Sequence, residues 1–205
     1  MSPRDGFPPG DRPPGDRPPG HTSWDGDAYQ RRFDALAAAG ADVHGEAALI
    51  LTLGVRTVLD AGCGSGRVAA ELARHGVEVV GIDRDPSMIA TAGRTAPTVD
   101  FRIGDVAGAD LDLGRLFDLV VMAGNVPLFT PEGTQDDLVA GCARHLGPGG
   151  RLLTGFQLGR GYSLEAYDTA CSAAGLEAEA RWATWERAAY VRGADYAVSL
   201  HRRPD

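Results

Sequence analysis

The sequence predicts an α/β protein: a seven-stranded, mostly parallel sheet with helices on both faces and an antiparallel hairpin at its C-terminal end. Three observations predict it. First, runs with almost no polar face, such as VEVVGID (77–83) and FDLVVMA (117–123), alternate with stretches of helical period. Strands apolar on both faces belong to sheets covered on both sides. Second, four polar residues, Asp60, Asp83, Asp105 and Asn125, fall at or just beyond the ends of four such runs. An open parallel sheet places its binding crevice there. Third, LEAEARWATWE and ADYAVSLHRR follow one another with no helix between them.

Taken in order, Tyr29, Phe33 and Leu36 lie three and four residues apart and give one apolar helix face. Asp27 could cap this helix and Gly40 could end it. Asp42 could cap a second helix running to about Leu53. VRTVLD (55–60) is the first strand, and a helix follows from about Gly66 to Arg74 with Val68, Leu72 and either His75 or Ala69 inward. VEVVGID is the second strand. Asp85 then opens a helix with Pro86 in its first turn, where a missing N–H costs nothing. VDFRIGD (99–105) and FDLVVMA are the third and fourth strands. Glu132 to Leu146 reads as a helix, LGPGG as a turn, and GGRLLTGFQ (149–157) as the fifth strand. SLEAYDTACSAAG (163–175) is helical. The last two runs, joined by RAAYVRG, predict the hairpin, with Trp182 and Trp185 on opposite faces of its first strand.

The chain of 205 residues suffices for one domain with appendages. Residues 1–22 form a Pro/Gly-rich tail in which DRPPG occurs twice. Such a stretch cannot build a core, and disorder is expected. Lys and Arg total 20 against 28 Asp and Glu, so the net charge is -8. This gives no general attraction to nucleic acid or to an anionic membrane. Cys63, Cys142 and Cys171 match no zinc spacing, and an odd number argues against a disulfide framework. No metal is expected. Neither a signal peptide nor a membrane span is read, so the expected location is cytoplasmic.

The most informative stretch is VLDAGCGSGRV (58–68). Gly62, Gly64 and Gly66 let the backbone turn sharply and approach a ligand. The helix that follows points free N–H groups toward the same place, which suits a phosphate, a pyrophosphate or a carboxylate. Three details narrow the choice. In a dinucleotide fingerprint read from Gly62, the third glycine position falls on Arg67. Asp60 directly before the turn would repel a pyrophosphate but could accept from an ammonium group. Asp83, 21 residues after Gly62, lies where an acid can accept both hydroxyls of a ribose. The pattern fits a nucleoside with an amino acid attached.

VLDAGCGSGRVAAELARHGVEVVGIDRDPSMI resembles the cofactor signature of class I S-adenosylmethionine-dependent methyltransferases. The likeness continues through FRIGD, FDLVVMAGNV and LGPGGRLLTGF and spans roughly residues 55–157. It implies a Rossmann-like methyltransferase fold with S-adenosylmethionine as cofactor. By resemblance, Asp60 would hold the methionine amino group, with Gly62 and Gly64 giving backbone room. Asp83 would take the ribose hydroxyls. Arg84 and Met88 would lie by the adenine, with Asp105 and Val106 hydrogen-bonding it. Ala123 and Asn125 would sit near the methionine end. The region before the first strand, 23–54, would be a helical lid over residues 55–205, with Trp24, Tyr29 and Phe33 as covering aromatics. Each residue also has a plainer reading: Asp60 could cap a turn, Met88 could be core, and Asn125 could bond backbone at a strand end.

The resemblance also implies a methyl acceptor. AGNVPLFT departs from the Asn-Pro-Pro-Tyr type found in adenine and glutamine methylation. With the acidic balance, this points to a small-molecule acceptor and away from nucleic acid, while a protein acceptor stays open. Tyr29 and Arg160, the latter flanked by Gly159 and Gly161, are candidate substrate contacts. No general base is identifiable, although His21, His44, His145 and Tyr29 can be proposed. Two competing readings stay open: an NAD(P)-dependent oxidoreductase, and a non-catalytic protein that binds a nucleoside cofactor.

Overall fold

A computed structural model describes residues 25–205. The predicted tail 1–22, with His21, and the proposed lid residue Trp24 lie outside the described residues. The elements run α1 (Gly26–Ala38), α2 (Gly45–Leu51), β1 (Thr57–Ala61), α3 (Arg67–Arg74), β2 (Glu78–Asp83), α4 (Pro86–Thr95) and β3 (Asp100–Ile103). They continue with β4 (Phe117–Met122), α5 (Val126–Phe129), α6 (Gln135–Arg144), β5 (Leu146–Gln157), α7 (Leu164–Ala173), β6 (Glu177–Trp182) and β7 (Tyr196–Arg202). The strands form one seven-stranded sheet in the order β3-β2-β1-β4-β5-β7-β6. β1 to β5 are parallel, and β7 is antiparallel to both β5 and β6. This is the predicted architecture.

Both faces of the sheet are buried, as the uniformly apolar strands require. On one face Leu59, Val80 and Val120 pack with Leu138 and Cys142 of α6 and Tyr167 and Cys171 of α7. On the other, Val58, Leu119, Val121 and Leu153 pack with Ile50 of α2, Val68 and Leu72 of α3, and Trp185. Each such fully buried aliphatic side chain contributes about 1.5–3 kcal/mol. β1 lies between β2 and β4, so the glycine turn that leaves it stands in the middle of the sheet's carboxyl edge.

Several expectations are corrected. Asp25, not Asp27, caps α1 by accepting from the Ala28 N–H. Asp27 instead pairs across to Thr91 and Arg94 of α4. Asp42 accepts from the His44 N–H before α2 and does not cap that helix. α6 is shorter than the predicted 132–146, and LGPGG belongs to β5, where Leu146 aligns with Phe117. The hairpin connection is longer than RAAYVRG: β6 stops at Trp182, and Trp185 lies beyond it in the connection, buried. His75 faces solvent, whereas Val68, Ala69 and Leu72 are the inward residues of α3.

Candidate cofactor and acceptor site

A cavity of about 850 Å³ opens at the carboxyl edge of the sheet, within the usual range for small-molecule sites. Ten residues read from the sequence as cofactor-binding line it: Asp60, Gly62, Gly64, Asp83, Arg84, Met88, Asp105, Val106, Ala123 and Asn125. They come from four strand ends that are distant in sequence and adjacent in the sheet. Tyr29 of α1 also lines it. Arg160 does not: it is exposed, and its Nη1 donates to Gln157 Oε1 at 2.9 Å.

The glycine turn holds its shape through the second strand. The N–H groups of Gly62 and Cys63 donate to the Ile82 carbonyl at 2.8 and 3.0 Å. Gly64 N–H donates to Asp83 Oδ2, and Asp85 N–H to Asp83 Oδ1, both at 2.9 Å. Asp83 is therefore fixed in place before any ligand arrives. Burial raises its pKa, while these N–H groups oppose the rise. Gly62 has φ +77, and a Cβ there would meet Val126 Cγ2 at 2.7 Å. The turn thus abuts the segment that follows β4.

Asp60 is 1 % exposed, and its Oδ2 has no hydrogen-bond partner. Burial raises its carboxyl pKa to about 7; Arg67 pulls it down and Asp83 pushes it further up. A buried carboxylate oxygen without a donor is costly unless a ligand supplies one. This one borders a cavity beside a glycine turn, and an ammonium group is the chemical complement to it.

The remaining residues take mixed positions. Arg84 Nε lies 3.3 Å from Asp105 Oδ2 at the half-exposed edge. Asp105 Oδ1 accepts from the Ala107 N–H at 3.0 Å. Met88 and Val106 are buried and supply apolar wall. Asn125 is left-handed at φ 68 and 7 % exposed. Its Oδ1 accepts from Gln157 N–H at 2.7 Å, so part of its role is to bind the ends of β4 and β5 together.

Sequence reasoning missed other groups. Arg67 pairs with Glu46 at 2.6 Å and donates to the Val43 carbonyl, fastening α2 to the glycine turn. Its position in place of a fingerprint glycine was the available signal. Ser65 Oγ donates to Gln30 Oε1 at 2.7 Å, fastening α1. Trp185 and Tyr196 wall the cavity on the β5–β7 side, with Trp185 Nε1 donating to Tyr196 Oη at 3.2 Å. His44 sits 3.7 Å from Glu71, and His145 Nδ1 is 2.8 Å from the Gly141 carbonyl; neither lines the cavity. Among the described residues there is no metal-binding cluster and no helix long and apolar enough to cross a membrane.

Sheet order and the glycine turn between β1 and α3 together define a Rossmann-like α/β protein. The methyltransferase-domain family matches residues 58–150. A TehB-like S-adenosylmethionine-dependent methyltransferase from Corynebacterium glutamicum is 35% identical in a solved structure. That likeness has a TM-score of 0.82 and covers 88% of this chain and 98% of that one. The chain belongs to the class I S-adenosylmethionine-dependent methyltransferases. The ubiquinone biosynthesis O-methyltransferase of Xanthomonas oryzae is 31% identical over 133 residues, 63% of this chain and 53% of that protein. The dTDP-4-amino-2,3,4,6-tetradeoxy-D-glucose N,N-dimethyltransferase of Saccharopolyspora spinosa is 33% identical over 58% of this chain and 50% of that protein. The chain thus spans about half the length of these two curated relatives.

Proposed function

We propose that the protein binds S-adenosylmethionine in this cavity and transfers its methyl group to a small-molecule acceptor. The observation that carries the reading is the unpartnered Asp60 Oδ2, buried beside the glycine turn and lining the cavity. Asp60 receives the methionine ammonium, and the Gly62–Gly64 backbone leaves room for the amino acid. Asp83, already fixed by two N–H groups, has lone pairs left for the ribose hydroxyls. Met88 and the Arg84 stem border the adenine, and Asp105 and the Val106 N–H meet its polar edge. Ala123 and Asn125 stand at the methionine end. The described part of the expected lid, residues 25–54, covers the cofactor, with Tyr29 on its cavity side.

The cofactor supplies an activated methyl group, so the chain has no covalent chemistry to perform. Its residues bind, align an acceptor and exclude water. The relatives include an O- and an N-methyltransferase, and the cavity is small enough to suit a metabolite-sized acceptor.

Calorimetric titration tests the reading. S-adenosylmethionine and S-adenosylhomocysteine are expected to bind, and NAD is not. Asp60→Asn is expected to weaken S-adenosylmethionine by roughly 10- to 100-fold, the worth of a hydrogen bond to a charged group. Tight NAD binding, or an unchanged affinity in the variant, would reject the assignment.

A further inference from the structure

We infer that Asn125 is an acceptor-binding residue that selects an oxygen nucleophile over a nitrogen one, with the acceptor seated between the glycine turn and the Trp185–Tyr196 wall. This rests on the proposed placement of S-adenosylmethionine in the same cavity.

The orientation of the Asn125 amide is not free. Its Oδ1 accepts from Gln157 N–H at 2.7 Å, which a flipped amide could not do. Its own N–H donates to the Gly155 carbonyl at 3.2 Å. The amide oxygen is therefore fixed by one bond and the backbone by another, and the Nδ2 group is left over. No described residue accepts from Nδ2, although Asn125 is more than nine-tenths buried and lines the cavity. A plain strand-end asparagine would need only the Oδ1 bond. Here the Nδ2 donor pair remains, on a residue that lines the cavity.

The location is set by two contacts. On one side Val126, the next residue, touches the glycine turn so closely that Gly62 has no room for a Cβ. The Asp60 end of the cavity is therefore adjacent. On the other side Gly155, which accepts from Asn125, lies under the indole of Trp185 and beside Tyr196 Oη. Asn125 thus stands between the amino-acid end of the cofactor cradle and an aromatic wall.

A donor at this point discriminates by lone pairs. An ammonium has none. A neutral amine has one, which it needs for attack. A hydroxyl or phenolate oxygen has at least two, so it can accept from Nδ2 and still attack. In the transfer, one oxygen lone pair forms the O–CH3 bond. The C–S bond breaks with its electron pair left on sulfur, and any hydroxyl proton leaves to water. The aromatic wall favours a flat apolar body, so the acceptor class is a phenol or a similarly acidic enol.

The test uses the full chain saturated with S-adenosylhomocysteine. The probes are 4-nitrophenol, at mildly alkaline pH where it is ionised and only accepts, and its neutral isostere 4-nitroaniline. Wild type is expected to bind the phenolate at least about tenfold more tightly, which is about 1.4 kcal/mol. Asn125→Asp keeps an oxygen for Gln157 and tolerates the left-handed backbone, but replaces the donor with an anion. It is expected to lose that preference, measured with S-adenosylhomocysteine saturating. Asn125→Gly, also at ease with positive φ, is expected to lower the preference to about threefold or less. In Asn125→Gly, which adds no charge, a merely structural role would weaken both probes alike and leave the ratio unchanged. That result, or a wild type without preference, overturns the inference. Failure of S-adenosylhomocysteine itself to bind would overturn the cofactor assignment first, and this inference with it.

Discussion

Arg67 in the first turn of α3 grips Glu46 in the first turn of α2, with guanidinium–carboxylate distances of 2.6 and 2.9 Å. Each side chain is only 14% exposed. The guanidinium also lies 4.6 Å from the Phe33 ring centroid and donates to the Val43 carbonyl. One side chain thus ties α1, the α1–α2 loop and α2 to the helix that leaves the glycine turn. Burial works against the Arg67 charge, but Glu46 outweighs it and the pKa is raised above its ordinary value.

Breaking this pair on one side should therefore cost more than a surface ion pair. Arg67→Met leaves Glu46 buried without its partner, and a loss of about 3–5 kcal/mol is expected. Urea unfolding measures it. Glu46→Met combined with Arg67→Met should recover part of the loss, because the uncompensated charge is gone. If the double variant is as unstable as the sum of the singles, the two side chains are not coupled.

Asp60 links stability and binding in opposite directions. Its folded pKa of about 7 lies above the ordinary carboxyl value of 3.8. The unliganded fold therefore prefers the neutral carboxyl. Its contribution is fully present below about pH 4 and is lost as pH rises through about 7. Asp60→Asn should accordingly make the unliganded protein more stable at neutral pH, while weakening S-adenosylmethionine. Binding of the ammonium should draw a proton off Asp60 near pH 7, so affinity should rise with pH through that region. Calorimetry in buffers of different ionisation enthalpy would show the released proton in wild type, and none in the variant.

His201 should set part of the acid limit. It is 2% exposed, with Nε2 3.6 Å from Asp168 Oδ1 and its ring edge-on to Tyr167 at 5.3 Å. Burial lowers its pKa below 6.5, and Asp168 opposes the drop. The unfolded chain then takes up a proton before the folded one does. Stability from this group is present above about pH 6.5 and falls as pH drops toward the lowered folded value. His201→Gln should show a flatter stability profile over that window. An unchanged difference between the two proteins across it would remove His201 as the cause.

Much of this site is legible in the sequence because its residues obey local rules. Asp60, Asp83 and Asp105 stand at the ends of apolar runs, and the glycines stand where the chain must turn. Asp85 and Pro86 open α4 as read, with the Asp85 side chain accepting from Ser87 and Met88 N–H. What was misread depends on contacts that local rules do not encode. Asp25 and Asp27 both precede the same apolar face, and only the approach of Thr91 and Arg94 decides which is the cap. Trp185 sits in a run with strand character, yet its indole folds onto β5. The sign of that contact was Gly155, because a glycine inside a strand often marks close approach of another group. Arg160 reads from its flanking glycines as a substrate contact, but its side chain bonds Gln157 and does not line the cavity.

Gly155 carries the last prediction. A Cβ there would enter the Trp185 indole and come within 2.7 Å of Tyr196 Oη. β5 is paired on both sides, with β4 and β7, so its backbone has little freedom to retreat. In Gly155→Ala the indole must therefore move, breaking the 3.2 Å bond from Trp185 Nε1 to Tyr196 Oη. Overpacking of this kind typically costs about 1–3 kcal/mol. A second change, Trp185→Leu, removes the obstructing ring, so the double variant should be less destabilised than the sum of its parts. The Asp60 end of the cavity is untouched by either change. Affinity for S-adenosylhomocysteine should consequently stay within about threefold of wild type while preference among acceptor probes shifts. Equal losses of cofactor and acceptor binding would mean that the two ends of the cavity are one mechanical unit, and that Trp185 is part of the cofactor's cradle.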